Sequence, residues 1–192
     1  MDLQAYVEKV HGIAVAKGWW ETFENGDVQV RPSREIRMLM VTEIAEASEE
    51  VRGGKAPMYW NTPTGVVRWE DVGLGSNLSV GTELQKPEGE AVELIDCVIR
   101  IMDYFGACKW NLEEHMSDSY HLPDRERPLE THMDIVSMIS MAYGDDEEKM
   151  LGRVVKVIKE YFARKDWDFE TVLKGKIQYN ETRPYRHGGK TA

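Results

Sequence analysis

Two cysteines, Cys97 and Cys108, are too few for a disulfide framework. Both fall in or just after a predicted helix, where they read as small apolar residues. No run of about 18 apolar residues occurs, so no membrane-spanning helix is expected. The start, Met1-Asp2-Leu3-Gln4, lacks the basic region and apolar stretch of an export signal. Positive charge is also scarce: 24 Lys and Arg against 34 Asp and Glu give a formal net charge of -10. That balance disfavours wholesale binding to nucleic acid or to an anionic membrane, so an anionic ligand needs a local basic cluster or a bound metal. Paired Cys or His at ligand spacing are missing, which argues against zinc, and neither acidic run, 36–51 or 91–105, carries the Glu-x-x-His of a di-iron bundle. Nor is there a Ser, Cys or His constellation for nucleophilic catalysis. These absences predict a cytoplasmic protein. With 192 residues and 42% hydrophobic content, a single domain with one sizeable core is the expectation over residues 1–192.

Two short acidic signatures stand out against this background. Glu43-Ile44-Ala45-Glu46 lies inside the apolar run from Ile36 to Val51, and Glu93-Leu94-Ile95-Asp96 inside the run from Ala91 to Phe105. Apolar residues recur at helical spacing in both runs. Three helical steps bring two carboxylates within about 60° of each other around the axis, one turn apart. Like charges so placed repel, and here they interrupt a stripe that otherwise reads as core. Four carboxylates on the inner faces of two packed helices make sense if a hard cation neutralises them, and oxygen-only ligands suit Mg²⁺ or Mn²⁺. The plainer account is a solvated, salt-bridged face, with Asp96 paired to Arg100 and Glu49 to Arg52.

In chain order, Leu3 to Lys17 predicts a first helix stopping at Gly18, followed by Trp19 and Trp20. Adjacent tryptophans cannot both face one core. One packs, and the other covers the helix end or offers a flat face to a nucleobase; Trp20 is the candidate for that contact. Residues 21–32 form a loop, and Ser33 offers an N-cap to the first acidic helix, which runs to Arg52 and ends at Gly53-Gly54. Residues 54–86, rich in Gly and Pro, form a long connection placed as a lid, in which Val66 to Trp69 can make a hairpin arm. Pro87 fits the first turn of the second acidic helix, which ends near Gly106. A short helix follows Asn111, then a charged break at Asp124 to Pro128. An antiparallel helical pair is expected over residues 129–165. A last helix starts at Asp168 and gives way at Arg183-Pro184.

The basic residues Lys174, Lys176, Arg183, Arg186, His187 and Lys190 gather at the end of an otherwise acidic chain. This is either a frayed, solubilising tail or a phosphate grip, since Arg forks and Lys point charges are the usual phosphate contacts.

Three blocks, MLMVTEIAEASEEVRGGK at 38–55, KPEGEAVELIDCVIRIMD at 86–103 and KIQYNETRPYRHGGK at 176–190, together resemble the MazG-like all-α nucleoside triphosphate pyrophosphohydrolases. The likeness to helical dUTPases is more distant. The blocks cover roughly a quarter of the chain in the family's order. The resemblance implies an all-α, MazG-like helical bundle that assembles as a homodimer or homotetramer. It also implies that Glu43, Glu46, Glu93 and Asp96 hold Mg²⁺ against a nucleoside triphosphate, and that Lys176, Asn180 and Arg183, with Arg186 beside them, contact nucleotide or phosphate. The chain departs from the family in three places. Thr42 stands where the fuller pattern has a Glu, the connection between the acidic helices is longer, and a helical pair precedes the tail.

Independently of the resemblance, carboxylate-held Mg²⁺ points to phosphoryl or nucleotidyl chemistry. The expectation is hydrolysis of an NTP or dNTP to the monophosphate and pyrophosphate, with one of the four carboxylates or Glu50 as base towards water. A non-catalytic nucleotide-binding or regulatory module, and a structural oligomer with acidic interface charges, are the other readings.

Overall fold

In the computed structural model, the helix Glu90–Cys108 is buried on nearly every side and the other elements are arranged around it. The structure describes residues 1–21, 23–24, 27–62, 65–69, 86–116, 121, 123, 125 and 127–186. Among them are seven α-helices and a three-stranded sheet. In chain order these are α1 (Leu3–Ala16), α2 (Ser33–Arg52), β1 (Tyr59–Thr62), β2 (Gly65–Arg68), β3 (Pro87–Glu88), the central α3 (Glu90–Cys108), α4 (Glu113–Met116), α5 (Pro128–Met141), α6 (Glu147–Arg164) and α7 (Phe169–Thr182). The chain is therefore mostly helical, as its periodicity predicts. Among the described residues no helix is long and apolar enough to cross a membrane.

Helix α3 packs against α1, α2, α6 and α7, which explains why Leu94, Ile95, Val98, Ile101, Met102 and Phe105 are all sealed from solvent. Its start is set by Gly89, whose φ of 114° lies in a region that side chains rarely adopt. A Cβ there would also stand 2.5 Å from the carbonyl oxygen of Pro57. Pro87 accordingly lies outside the helix: it pairs with Trp60 as part of β3, and the helix opens three residues later, at Glu90. The far end differs as well. Gly106 does not stop the helix, because it is a packing glycine: a Cβ there would meet the Cβ of His11 on α1 at 2.4 Å. The stop falls at Lys109, in the left-handed conformation with φ 59°.

Two ends are capped as side-chain chemistry predicts. Asp2 accepts from the Ala5 amide at 2.9 Å, and Asp168 accepts from the Thr171 amide at 3.1 Å. Ser33 is not a cap. Pro32 holds that position on α2, and the Ser33 hydroxyl instead donates to Glu147 at the start of α6.

The connection expected over residues 54–86 contains an ordered hairpin. Tyr59 pairs with Arg68 and Thr62 with Gly65, while β3 lies along the other side of β1. Tyr59 ties the sheet to the helices by donating to Glu50 on α2 at 2.8 Å, with Glu88 of β3 3.1 Å from the same hydroxyl. Trp60 stacks on Trp69 with ring centroids 5.1 Å apart. The expected lid over residues 70–85 lies outside the described residues, as do 63 and 64.

The helices α5 and α6, joined by a short 3₁₀ turn at Gly144–Asp146, pack on each other. They are not an appendage. Ile135, Ile139, Leu151, Val154 and Val155 are fully buried in the same apolar cluster as α3.

Candidate metal centre and cleft

Helix α2 carries Glu43 and Glu46, α3 carries Glu93 and Asp96, and the two helices pack side by side. The i, i+3 spacing turns each pair towards the seam between them. Three of the four converge: carboxylate oxygens of Glu43, Glu93 and Asp96 lie within 4.8 Å of one another. Glu46 stands outside that group with its side chain 49% exposed, and is reached by Lys86 Nζ at 3.6 Å.

Protein cations also enter the cluster. Arg100 donates to Glu43 at 3.0 Å, Lys86 to Glu93 at 3.0 Å, and Lys176, itself 1% exposed, to Asp96 at 2.7 Å. The Asp96–Arg100 pair expected of a plain helix face is not the one formed; Arg100 crosses to α2 instead. Glu49 and Arg52 do pair, at 2.6 Å, on the outer surface.

These cations do not fully relieve the carboxylates. Burial, with the Asp96 charge beside it, pushes Glu93 up to about 8, against the pull of Lys176 and Lys86. Glu43 is raised by the same two causes, opposed by Arg100. Glu93 Oε2 is buried with no hydrogen-bond partner among the described residues. A buried carboxylate oxygen without a donor is costly, and a proton or a cation can satisfy it. The donor set, three converging carboxylates with no sulfur or imidazole, fits Mg²⁺ or Mn²⁺.

Glu43 and Asp96 of the cluster, but not the more deeply buried Glu93, line a cleft of about 390 Å³, within the size range of small-molecule sites. From α3 come Asp96, Ile99, Arg100 and Asp103; from α2, Leu39, Glu43 and Glu46; from α1, Val10, Ile13, Ala14 and Lys17; and from α7, Ile177, Asn180 and Arg183, with Trp19 and Lys86 completing the walls. Asn180 Oδ1 is buried and unpartnered among the described residues. Arg183 lies with its guanidinium carbon 5.8 Å from the Tyr179 ring centroid, and burial and the nearby Arg100 hold it below its usual pKa.

Of the residues expected to bind substrate, Lys176 meets Asp96 at the cluster, and Asn180 and Arg183 face the cleft. Trp20 does not: it is 5% exposed and its Nε1–H donates to Asp103 at 2.8 Å, so Trp19 is the tryptophan on the cleft wall. Arg186 is not in the cleft either. Its amide and Nε donate to the carbonyls of Lys17 and Gly18, beside a separate hollow of about 270 Å³. His187 and Lys190 lie outside the described residues, and Lys174 pairs with Glu170 on the surface. Glu50 is engaged away from the cluster by Tyr59 and Lys55.

Sequence reasoning missed Lys86, Arg100 and Asp103. The last two carry a signal, because positions 93, 96, 100 and 103 continue one helical stripe. Lys86 precedes β3 and carries none. The chain matches no protein-family model, no curated protein and no solved structure.

Proposed function

We propose that the protein is a metal-dependent nucleoside triphosphate pyrophosphohydrolase of the MazG-like kind, releasing pyrophosphate and a nucleoside monophosphate. The observation that carries this reading is the convergence of Glu43, Glu93 and Asp96, with Glu93 Oε2 unpartnered among the described residues, where Glu43 and Asp96 line a cleft of about 390 Å³. Those three residues, with Glu46 within reach, are the ones that would hold Mg²⁺ or Mn²⁺. The ion supplies charge neutralisation for the triphosphate and a lowered pKa for a water.

The chain's own groups do the rest. Arg183 has no carboxylate partner among the described residues and offers its fork to phosphate oxygens, while Lys176 and Lys86 place positive charge beside Asp96 and Glu93. Asn180 faces the same cleft with an amide whose oxygen is free to accept from a ligand hydroxyl or amino group. The apolar walls from α1, α2 and Trp19 suit a base and exclude water from it. Thr42, in place of a further Glu, points outward: its hydroxyl donates to the Met38 carbonyl at 3.0 Å. Homodimer or homotetramer assembly is part of the same proposal.

One observation favours a second reading. Glu43, Glu93 and Asp96 each have a resident protein cation, as expected of a cleft that binds nucleotides without turning them over. The experiment that separates the two is pyrophosphate release from a panel of NTPs and dNTPs with Mg²⁺, Mn²⁺ or EDTA, run beside Asp96→Asn. Release that requires both metal and Asp96 is the expected result. Nucleotide binding in excess Mg²⁺ without product would overturn the hydrolase reading in favour of the binding module.

A further inference from the structure

The polar stripe of α3 does not end at the carboxylate cluster. Asp103 lies seven residues beyond Asp96 on the same face, about 10 Å further along the helix axis, and it lines the same cleft. Its surroundings are unlike those of the acidic end. Lys86 joins Glu46 to Glu93 and Arg100 joins Glu43 to α3, so the two helices run past each other and Leu39, one turn before Glu43, falls towards Asp103. With Trp19 and Ile99 it adds apolar surface to the same cleft, where Arg100, one turn back along α3, acts on the Asp103 charge.

Asp103 is held rigidly by two ring donors. Its Oδ1 accepts from Trp20 Nε1–H at 2.8 Å and faces His11 Nδ1 at 2.8 Å. Burial pushes the Asp103 carboxyl up, while the His11 and Trp20 hydrogen bonds and Arg100 favour its ionised form; when ionised the oxygen accepts, and His11 presents Nδ1–H to it. The His11 ring packs edge-on against the buried Trp20, with centroids 5.6 Å apart. Both internal donors thus fall on one oxygen. Oδ2 has no partner among the described residues, and the side chain stays 18% exposed at the cleft wall. Two donors from packed rings fix the direction of an acceptor that the fold itself does not use.

We propose that Asp103 is the base-reading residue of the cleft and that the preferred base is guanine. This rests on the reading of the cleft as a nucleotide site, because Asp96, at the carboxylate cluster, and Asp103 line the same cleft about 10 Å apart along one face of α3, as a phosphate and a base are apart along a nucleotide. Among the ordinary bases only guanine presents two adjacent N–H donors on one edge, the ring N1–H and the 2-amino group, and both can converge on a single carboxylate oxygen. Adenine and cytosine set an amino group beside a ring nitrogen whose lone pair would face the carboxylate. Uracil and thymine flank their one N–H with two carbonyl oxygens.

The test is calorimetric titration of the whole protein with guanosine, inosine, adenosine, cytidine and uridine 5′-monophosphates in Mg²⁺, repeated with Asp103→Asn. The expected result is guanosine monophosphate binding about tenfold to a hundredfold tighter than the adenine and pyrimidine nucleotides, the scale of a well-made bidentate base contact. Inosine monophosphate, which keeps N1–H but lacks the amino group, should fall between. In Asp103→Asn the guanine advantage should vanish, because the amide oxygen is drawn to His11 and Trp20 and its NH₂ then meets guanine's donors. If that variant does not fold, the guanosine-to-inosine ratio on the unaltered protein decides. Equal binding of the five, a pyrimidine preference, no binding up to millimolar ligand, or an Asn variant that keeps the guanine advantage would each overturn the proposal. Guanine preference without pyrophosphate release supports it while sinking the hydrolase reading. Pyrophosphate release without base preference does the reverse.

Discussion

Glu90 and Glu93 sit one turn apart on the same helix, 8% and 2% exposed, yet the protein treats them in opposite ways. Glu90 is closed off. Tyr161 donates to its Oε1 at 2.7 Å, His132 Nε2 stands 3.1 Å from the same oxygen, and His132 Nδ1 is in turn 3.0 Å from Ser48 Oγ. Four elements, α2, α3, α5 and α6, each contribute one member of that network. Glu93 has one lysine, two carboxylate neighbours and an oxygen with no partner among the described residues. A buried carboxylate whose partners come from the packed core is a joint in the fold. One left incomplete, behind two carboxylates that line a cleft, lacks a partner that the fold does not supply.

The largest effects should separate these two residues. Glu90→Ala leaves the Tyr161 hydroxyl and His132 buried without their acceptor and should cost about 3–5 kcal/mol of stability, the usual penalty for removing one partner of a buried pair. Glu93→Gln removes a buried carboxyl whose ionised form the fold disfavours. Chemical denaturation in EDTA should find it no less stable than the unaltered protein, while pyrophosphate release falls on the order of a thousandfold, about 4 kcal/mol in the barrier. If Glu93→Gln unfolds the protein and Glu90→Ala does not, the contrast is the wrong way round.

A pH titration sharpens the same comparison. Burial and the Asp96 charge hold Glu93 up at about 8, from an ordinary value of 4.5. Between those values the folded protein keeps a proton that the unfolded chain has lost, so stability falls as pH rises through the window and levels off above it. Melting temperatures in EDTA should therefore decline from about pH 4.5 to about 8. Saturating Mg²⁺ should flatten the decline, because the cation favours the ionised carboxylate, and Glu93→Gln should remove Glu93's contribution altogether. A rise in stability across that window would contradict the account.

Tyr161→Phe deletes one donor to Glu90 and leaves the ring in place, packed edge-on to Trp167 and His132. The expected loss is about 1–3 kcal/mol, read by denaturant midpoint, with metal-dependent turnover unchanged.

The sequence carries the scaffold of this comparison but not its resolution. Helical spacing locates α1, α2, α5, α6 and α7, and it puts Glu43, Glu93 and Asp96 on inward faces. It cannot distinguish Glu90 from Glu93, since both are acidic residues near the start of one apolar helix, and the difference lies in Tyr161 and His132, which arrive from 71 and 42 residues away. The same limit explains Trp19 and Trp20. Adjacency shows that only one can pack inward, but the choice is made by Asp103, 83 residues on, which gives the Trp20 indole an acceptor. Gly106 and Pro87 mislead for a related reason. Each reads locally as a helix boundary, and each is used instead for tertiary contact, with α1 in one case and β1 in the other.

Arg183 gives the smallest structural effect and the cleanest functional one. Its backbone carbonyl accepts from Lys17, but its guanidinium has no carboxylate partner among the described residues and lies beside Arg100, which opposes its charge. Removing a half-buried cation that the fold does not neutralise should change stability by no more than about 0.5 kcal/mol in either direction, as for substitutions that break no core contact. If the guanidinium instead grips phosphate, Arg183→Ala should raise KM for the triphosphate about tenfold or more. Arg183→Lys should recover only part of that, because a point charge replaces a two-pronged donor. Thermal melts and initial rates on the same preparations read both quantities. A large loss of stability would move Arg183 to Glu90's side of the comparison, as a joint of the fold, whereas a KM effect on an unchanged melt keeps it with Glu93, as a group waiting for its ligand.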